Sequence, residues 1–202
     1  MPVTINGTTG ITTPAENTSA LTVGSITGIL KATSGVVSQA VAGSDYGQLT
    51  LATAQSASGT AVDFTSIPSW AKRITVMFSG VSTNGSSNPL IQIGTSGGIQ
   101  TTGYSSGGWT SNTNNSTSTT GFLLQGSQVT SYVMSGQAVL TLVDAATGIW
   151  AMSSILNGSS ISGLGSIGGG NKTLSGTLDR LRITTVNGTD AFDAGTINIS
   201  YE

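Results

Sequence analysis

The sequence predicts an all-β protein: an antiparallel β-sandwich, jelly-roll-like, over residues 50–202, preceded by an extended, intertwined segment over residues 1–49. Three observations predict it. Short stretches in the second part alternate apolar and polar residues with period two, the mark of a half-buried strand. Asn84-Gly85, Asn157-Gly158 and Asn187-Gly188 punctuate them with residues that tolerate positive φ and favour tight turns. No stretch after residue 50 repeats its apolar residues at helical spacing.

The N-terminal part is unusual. Its first sixty residues hold one aromatic, Tyr46, and three charges, Glu16, Lys31 and Asp45, yet aliphatics such as Val3, Ile11, Leu21, Val36 and Leu49 recur throughout. Such a segment has no bulky residues for a core of its own and too little charge for a solvated linker. Its aliphatics are expected to be covered by other copies of the chain or by a larger assembly. Ser19–Ile29 fits a short helix or an extended strand equally well, and Ser44-Asp45-Tyr46-Gly47 reads as the turn into the second part.

In chain order, Lys72–Ser79 is the clearest strand, with Ile74, Val76 and Phe78 on one face. Leu90–Ile93, Gly121–Leu124, Ala138–Val143, Ile149–Met152, Leu181–Val186 and Thr196–Tyr201 follow. Asp144–Gly148 is expected to close a hairpin, and Arg180 and Arg182 to give their strand a wet face opposite Leu181 and Ile183. A faint echo relates 73–93 to 182–199: strand, Asn-Gly turn, strand. Ser111–Thr120, ten Ser, Thr and Asn residues, and Gly158–Gly170 read as long loops, where binding residues usually reside. Trp70, Phe78 and Trp150 read as core.

Composition narrows the function. Charged residues make up 7% of the chain, against about a quarter in a soluble domain; Ser, Thr, Gly and Asn take their place. A net charge of −2 with six scattered basic residues offers no phosphate-binding stripe, so neither nucleic acid nor an anionic lipid surface is an expected partner. No apolar run reaches membrane-spanning length, and Met1–Asn6 does not resemble a signal peptide. If the protein works outside a cell, it is not expected to leave by the usual signal.

Catalysis finds little support in the residues. With no histidine and no cysteine, a Ser-His-Asp nucleophile, a thiol nucleophile and the commonest metal ligand are all missing. A glycosidase needs two carboxylates about 5 to 9 Å apart, and Asp63, Asp144, Asp179, Asp190 and Asp193 sit mostly at turns. Asp190, Asp193 and Asn187 could offer oxygen ligands to a cation, but two carboxylates in a loop read as turn residues. Gly163–Gly168 satisfies Gly-x-Gly-x-x-Gly, but no βαβ unit surrounds it and it reads as a flexible loop. No catalytic residue, metal or cofactor is expected. The candidate site is instead Tyr104 and Trp109 beside the polar loop, stacking on a sugar ring, with Asn112, Asn114 and Asn115 bonding its hydroxyls.

Two stretches resemble a known family. Thr27-Gly28-Ile29-Leu30-Lys31, Gly35–Ala40 and Ala42-Gly43-Ser44-Asp45-Tyr46 resemble a linker of tailed-bacteriophage tail fibres, Gly-Val/Ile-Leu-Lys followed by Ala-x-Ala-Gly-x-Asp-Tyr. Asp63–Thr75, Leu174–Gly188 and Ala194–Ile199 are similar to a C-terminal module of phage tail proteins. The resemblance implies a homotrimeric virion tail fibre that binds tail or baseplate proteins through residues 1–49 and a bacterial surface glycan or protein through residues 50–202. Ile26, Ile29, Leu30, Val36, Val37 and Tyr46 are then the candidates for trimerisation and attachment. The alternatives are a purely structural head fibre, decoration or baseplate protein, and a polysaccharide depolymerase.

Overall fold

Strand β6 (Arg73–Thr83) shows how the sequence pattern becomes structure. Ile74, Val76 and Phe78 are buried, while Arg73 and Ser79 on the other face are exposed, the alternation a pleated backbone imposes. The computed structural model describes residues 28–34, 36–41, 45–111, 115–158 and 164–202, and no helix occurs among them. The fold is all-β, as expected.

The chain divides into two compact units, Met1–Val41 and Ala42–Glu202. In the first, β1 (Leu30–Thr33) and β2 (Val36–Gln39) pair as an antiparallel hairpin. Ser34 turns it with φ 51°, and the amide of Ala40 closes it on the carbonyl of Ile29 at 2.7 Å.

The second unit is an antiparallel sandwich. Its other strands are β3 (Thr50–Leu51), β4 (Gln55–Ser56), β5 (Ala61–Phe64), β7 (Pro89–Thr95), β8 (Gly98–Ile99), β9 (Tyr104–Thr110), β10 (Ser116–Ser118) and β11 (Phe122–Leu123). They continue with β12 (Met134–Asp144), β13 (Ile149–Gly158), β14 (Leu164–Thr173), β15 (Arg180–Thr185) and β16 (Phe192–Tyr201). The large sheet runs β10-β9-β14-β13-β12-β6-β16-β3, with β4 also on β16; the small sheet runs β11-β7-β15-β5, with β8 on β7. Between them lies one core, in which Ile74, Val76, Leu140 and Ile197 of the large sheet meet Ile91, Ile93, Phe122, Leu181 and Ile183 of the small one. Trp150 is buried there too, and Trp70 packs against the core's rim with its ring 5.6 Å from that of Tyr201.

The sequence echo has a structural counterpart. β6 leads into β7 and β15 into β16, each passing from one sheet to the other, with β6 beside β16 and β7 beside β15, both pairs antiparallel. Their Asn-Gly turns bond to each other. The amide of Ala191 donates to Asn84 Oδ1 (2.9 Å), the amide of Asn187 to Ser87 Oγ (3.0 Å) and the amide of Ser87 to Asp190 Oδ2 (2.8 Å). The Asp144–Gly148 hairpin also forms: Asp144 accepts from the amide of Ala146 (2.9 Å) and the hydroxyl of Thr147 (2.6 Å), which hold its carboxyl below the usual range.

Three expectations need correction. Gly158–Gly170 is not a loop from end to end, since residues 164–170 belong to β14, paired with β13 and β9 along its length. Asn157-Gly158 is the end of β13 and no turn. Ser111–Thr120 contains β10, which returns along β9 as a hairpin. The cause lies in the glycines. A Cβ on Gly168 would overlap the carbonyl of Leu123, and one on Gly108 the carbonyl of Gln125. The large sheet here lies against backbone, so its inward positions are glycine and serine, and the apolar alternation that signals a strand is absent. Serine hydroxyls fasten the contact: Ser154 Oγ donates to the carbonyl of Leu124 (3.0 Å), and Ser106 Oγ accepts from the amide of Leu123 (2.9 Å).

Candidate functional site

Of the residues expected to form a sugar site, Tyr104 and Trp109 lie on opposite faces of β9. Tyr104 opens β9 facing inward and is only 3% exposed. Its hydroxyl accepts from the amide of Ile93 (2.8 Å) and donates to the carbonyl of Gln100 (2.8 Å), and its ring meets Phe122 edge-on at 4.9 Å. Burial pushes the phenol up to about 12. The ammonium of Lys172 stands 5.5 Å from the centre of the same ring, its own pKa lowered by burial. Tyr104 is thus a core residue with no face left for a ligand, a correction that strand alternation explains: from 104 to 109 the facing reverses. Asn112 and Asn114 lie outside the described residues, and Asn115 is exposed just before β10.

Trp109 behaves differently. It is 44% exposed on the outer face of β9 and does not stand in a loop. Directly across on β14 is Ile167, and across from that on β13 is Ile155; these are 51% and 70% exposed. The register continues the row through Gln137 and Met77 to Asn198. The neighbouring row is Gly107, Gly169, Ser153, Val139 and Thr75. Next to the indole that row offers only Gly107, Gly169 and Ser153, so small residues flank it on this face. Ile155 and Ile167 carried no site signal in the sequence, because the strand that pairs them went unread.

The outer face of the small sheet is polar. Arg182 holds Asp63 in a two-point fork, Nε to Oδ1 and Nη2 to Oδ2, both 2.7 Å, which raises the arginine's pKa. Arg180 holds Asp179 at 2.6 Å, and its guanidinium lowers the Asp179 carboxyl. Leu181 and Ile183 point the other way and are fully buried, as expected. The charge on this strand face is matched pair by pair.

Asp190 and Asp193 are both taken up by protein groups. Asp190 accepts from Asn187 Nδ2 (2.7 Å) and the amide of Ser87, which hold its carboxyl low; Asp193 accepts from the hydroxyl of Ser82. Among the described residues no three acidic groups gather as a metal site would require. In the N-terminal hairpin, Ile29, Leu30, Val36 and Val37 are all exposed (55%, 47%, 65% and 39%), and Tyr46 of the second unit is at 36%. Ile26 lies outside the described residues.

No protein-family model matches the chain, and comparison with curated proteins and with solved structures finds no match to it.

Proposed function

We propose that the chain is a tail-fibre protein of a tailed bacteriophage, a homotrimer that holds to the virion through its N-terminal segment and adheres to the bacterial surface through its β-sandwich. The tail assignment rests on the linker-like residues 27–46. The observation that carries adhesion is the exposed row Trp109–Ile167–Ile155 on a neutral sheet face. An indole with open surface can stack on a sugar ring, and the serines around it can bond hydroxyls. The aliphatics of β1 and β2 are exposed in the single chain, as residues that sister chains cover would be. Three weak sites on one trimer gain strength by multivalency, so capture needs no chemical turnover.

A purely structural role is the second reading. The same apolar row would then lie against another virion protein. Two measurements test the proposal. The trimer of a 20.1 kDa chain weighs about 60 kDa by light scattering, whereas a monomer at micromolar concentration contradicts it. Immunogold labelling of intact virions is expected on the tail; label confined to the head contradicts the tail assignment.

A further inference from the structure

We propose that the outer face of the small sheet carries a second binding site, a groove for an uncharged saccharide. Two adjoining cavities form it. One, of about 500 Å³, is lined by Gln92, Thr101, Thr102, Thr120, Arg182 and Thr184 among others. The other, of about 360 Å³, is lined by Asp63, Ile99, Thr101, Arg180 and Arg182. Arg182 and Thr101 belong to both, so the two are continuous along the strand face. Each has the volume of a small-molecule site.

Gln92 is the observation that points to a ligand. It lies on β7 between Ile91 and Ile93, so alternation turns it away from the core, yet it is only 8% exposed. Its Nε2 donates to the carbonyl of Thr120 at 2.9 Å, which fixes the amide. Its Oε1 accepts no hydrogen bond among the described residues. Every fully buried side-chain polar atom of those residues has a partner, so this oxygen opens into the cavity as an oriented acceptor. An amide held in one orientation with an accessible acceptor gives a ligand hydroxyl a partner already in place. Arg182 adds the opposite chemistry: with Nε and Nη2 on Asp63, its Nη1 donates to nothing among the described residues.

The lining selects the class of ligand. Both arginines are matched by aspartates, so no net charge faces the groove to attract a phosphate or carboxylate. What remains is a fixed acceptor, a fixed donor and several threonine hydroxyls. Ile99 at one end and Val186 at the other offer apolar surface. Vicinal hydroxyls and the C–H face of a neutral sugar match that set. The site is distinct from the Trp109 row on the large sheet. It rests on the adhesion reading only for its purpose.

Saturation-transfer NMR on the full chain tests it, with neutral tetrasaccharides of glucose, galactose, mannose and N-acetylglucosamine, and sialyllactose as the charged comparison. At least one neutral sugar is expected to receive saturation. Gln92→Ala should weaken its binding tenfold or more, and Thr101→Val, at an exposed position, about threefold. If Gln92→Ala does not fold, as circular dichroism will show, Thr101→Val and Arg182→Lys carry the test. No transfer to any neutral sugar, or preference for sialyllactose, overturns the proposal. Transfer that survives these variants but vanishes in Trp109→Ala overturns the groove while leaving adhesion standing.

Discussion

Gly168 on β14 and Leu123 on β11 meet backbone to backbone, so close that any side chain on the glycine would overlap the leucine's carbonyl oxygen. Gly165, three residues earlier on the same strand, has open space where its Cβ would be. One strand thus carries an obligatory glycine and a dispensable one. Gly168→Ala is expected to lower stability by at least about 2 kcal/mol, because the neighbour it strikes is backbone and cannot rotate away. Gly165→Ala should stay within about 0.5 kcal/mol of the parent. Urea midpoints of the two variants check this directly.

Tyr104 makes a signature at high pH. Its phenol is raised to about 12 in the folded chain, against about 10 when unfolded. The folded state therefore holds this proton more tightly, and the stability involved is fully present below pH 10 and lost as pH rises from about 10 to 12. The fall amounts to about 2 to 3 kcal/mol. Lys172 acts in the opposite sense, since its lowered pKa makes stability rise toward pH 10.4 and stop there. Tyr104→Phe should abolish the decline above pH 10. It should also cost about 1 to 3 kcal/mol at neutral pH by leaving the amide of Ile93 without its partner. Denaturation across pH 8 to 12 reads both effects.

Asp190 ties the two Asn-Gly arches together, and its carboxyl is held low by Asn187 and the amide of Ser87. A lowered acid contributes stability that is present above the unfolded value of about 3.9 and lost as pH falls through the folded one. Asp190→Asn should be less stable than the parent at pH 7, with the difference closing below pH 4. Gly85→Ala, whose new methyl would strike the Asp190 carboxylate, should mimic the loss at neutral pH. Thermal melts of the three proteins at pH 7 and pH 3 decide it.

The Asp63–Arg182 fork has good geometry but stands in solvent, with its side chains 41% and 38% exposed. A double-mutant cycle is expected to give no more than about 1 kcal/mol, shrinking in salt. A larger coupling would mean that something covers the pair in the assembled protein.

The sequence was readable where the core is apolar and silent where it is not. β6, β15 and β16 announce themselves because Ile74, Ile183 and Ile197 alternate with polar neighbours, and β7, β12 and β13 because Ile91, Leu140 and Trp150 stand in short apolar runs. β9 and β14 hide because Ser106, Gly108, Ser166 and Gly168 face inward against the backbone of residues 123–126. That silence hides the inward turn of Tyr104 and the neighbours Ile155 and Ile167 of Trp109. Gln92 was within reach, since a glutamine between two core isoleucines must face outward. Its burial there, with the carbonyl of Thr120 brought in to hold its amide, is a long-range fact that no local pattern holds.

Competition for phage adsorption is the decisive test of the proposed adhesion to bacteria. Purified chain, added to host cells before the phage, is expected to slow adsorption in a saturable manner, and Trp109→Ala to do so at least tenfold less potently. Adsorption unchanged by folded chain in large excess over phage would contradict the proposed adhesion.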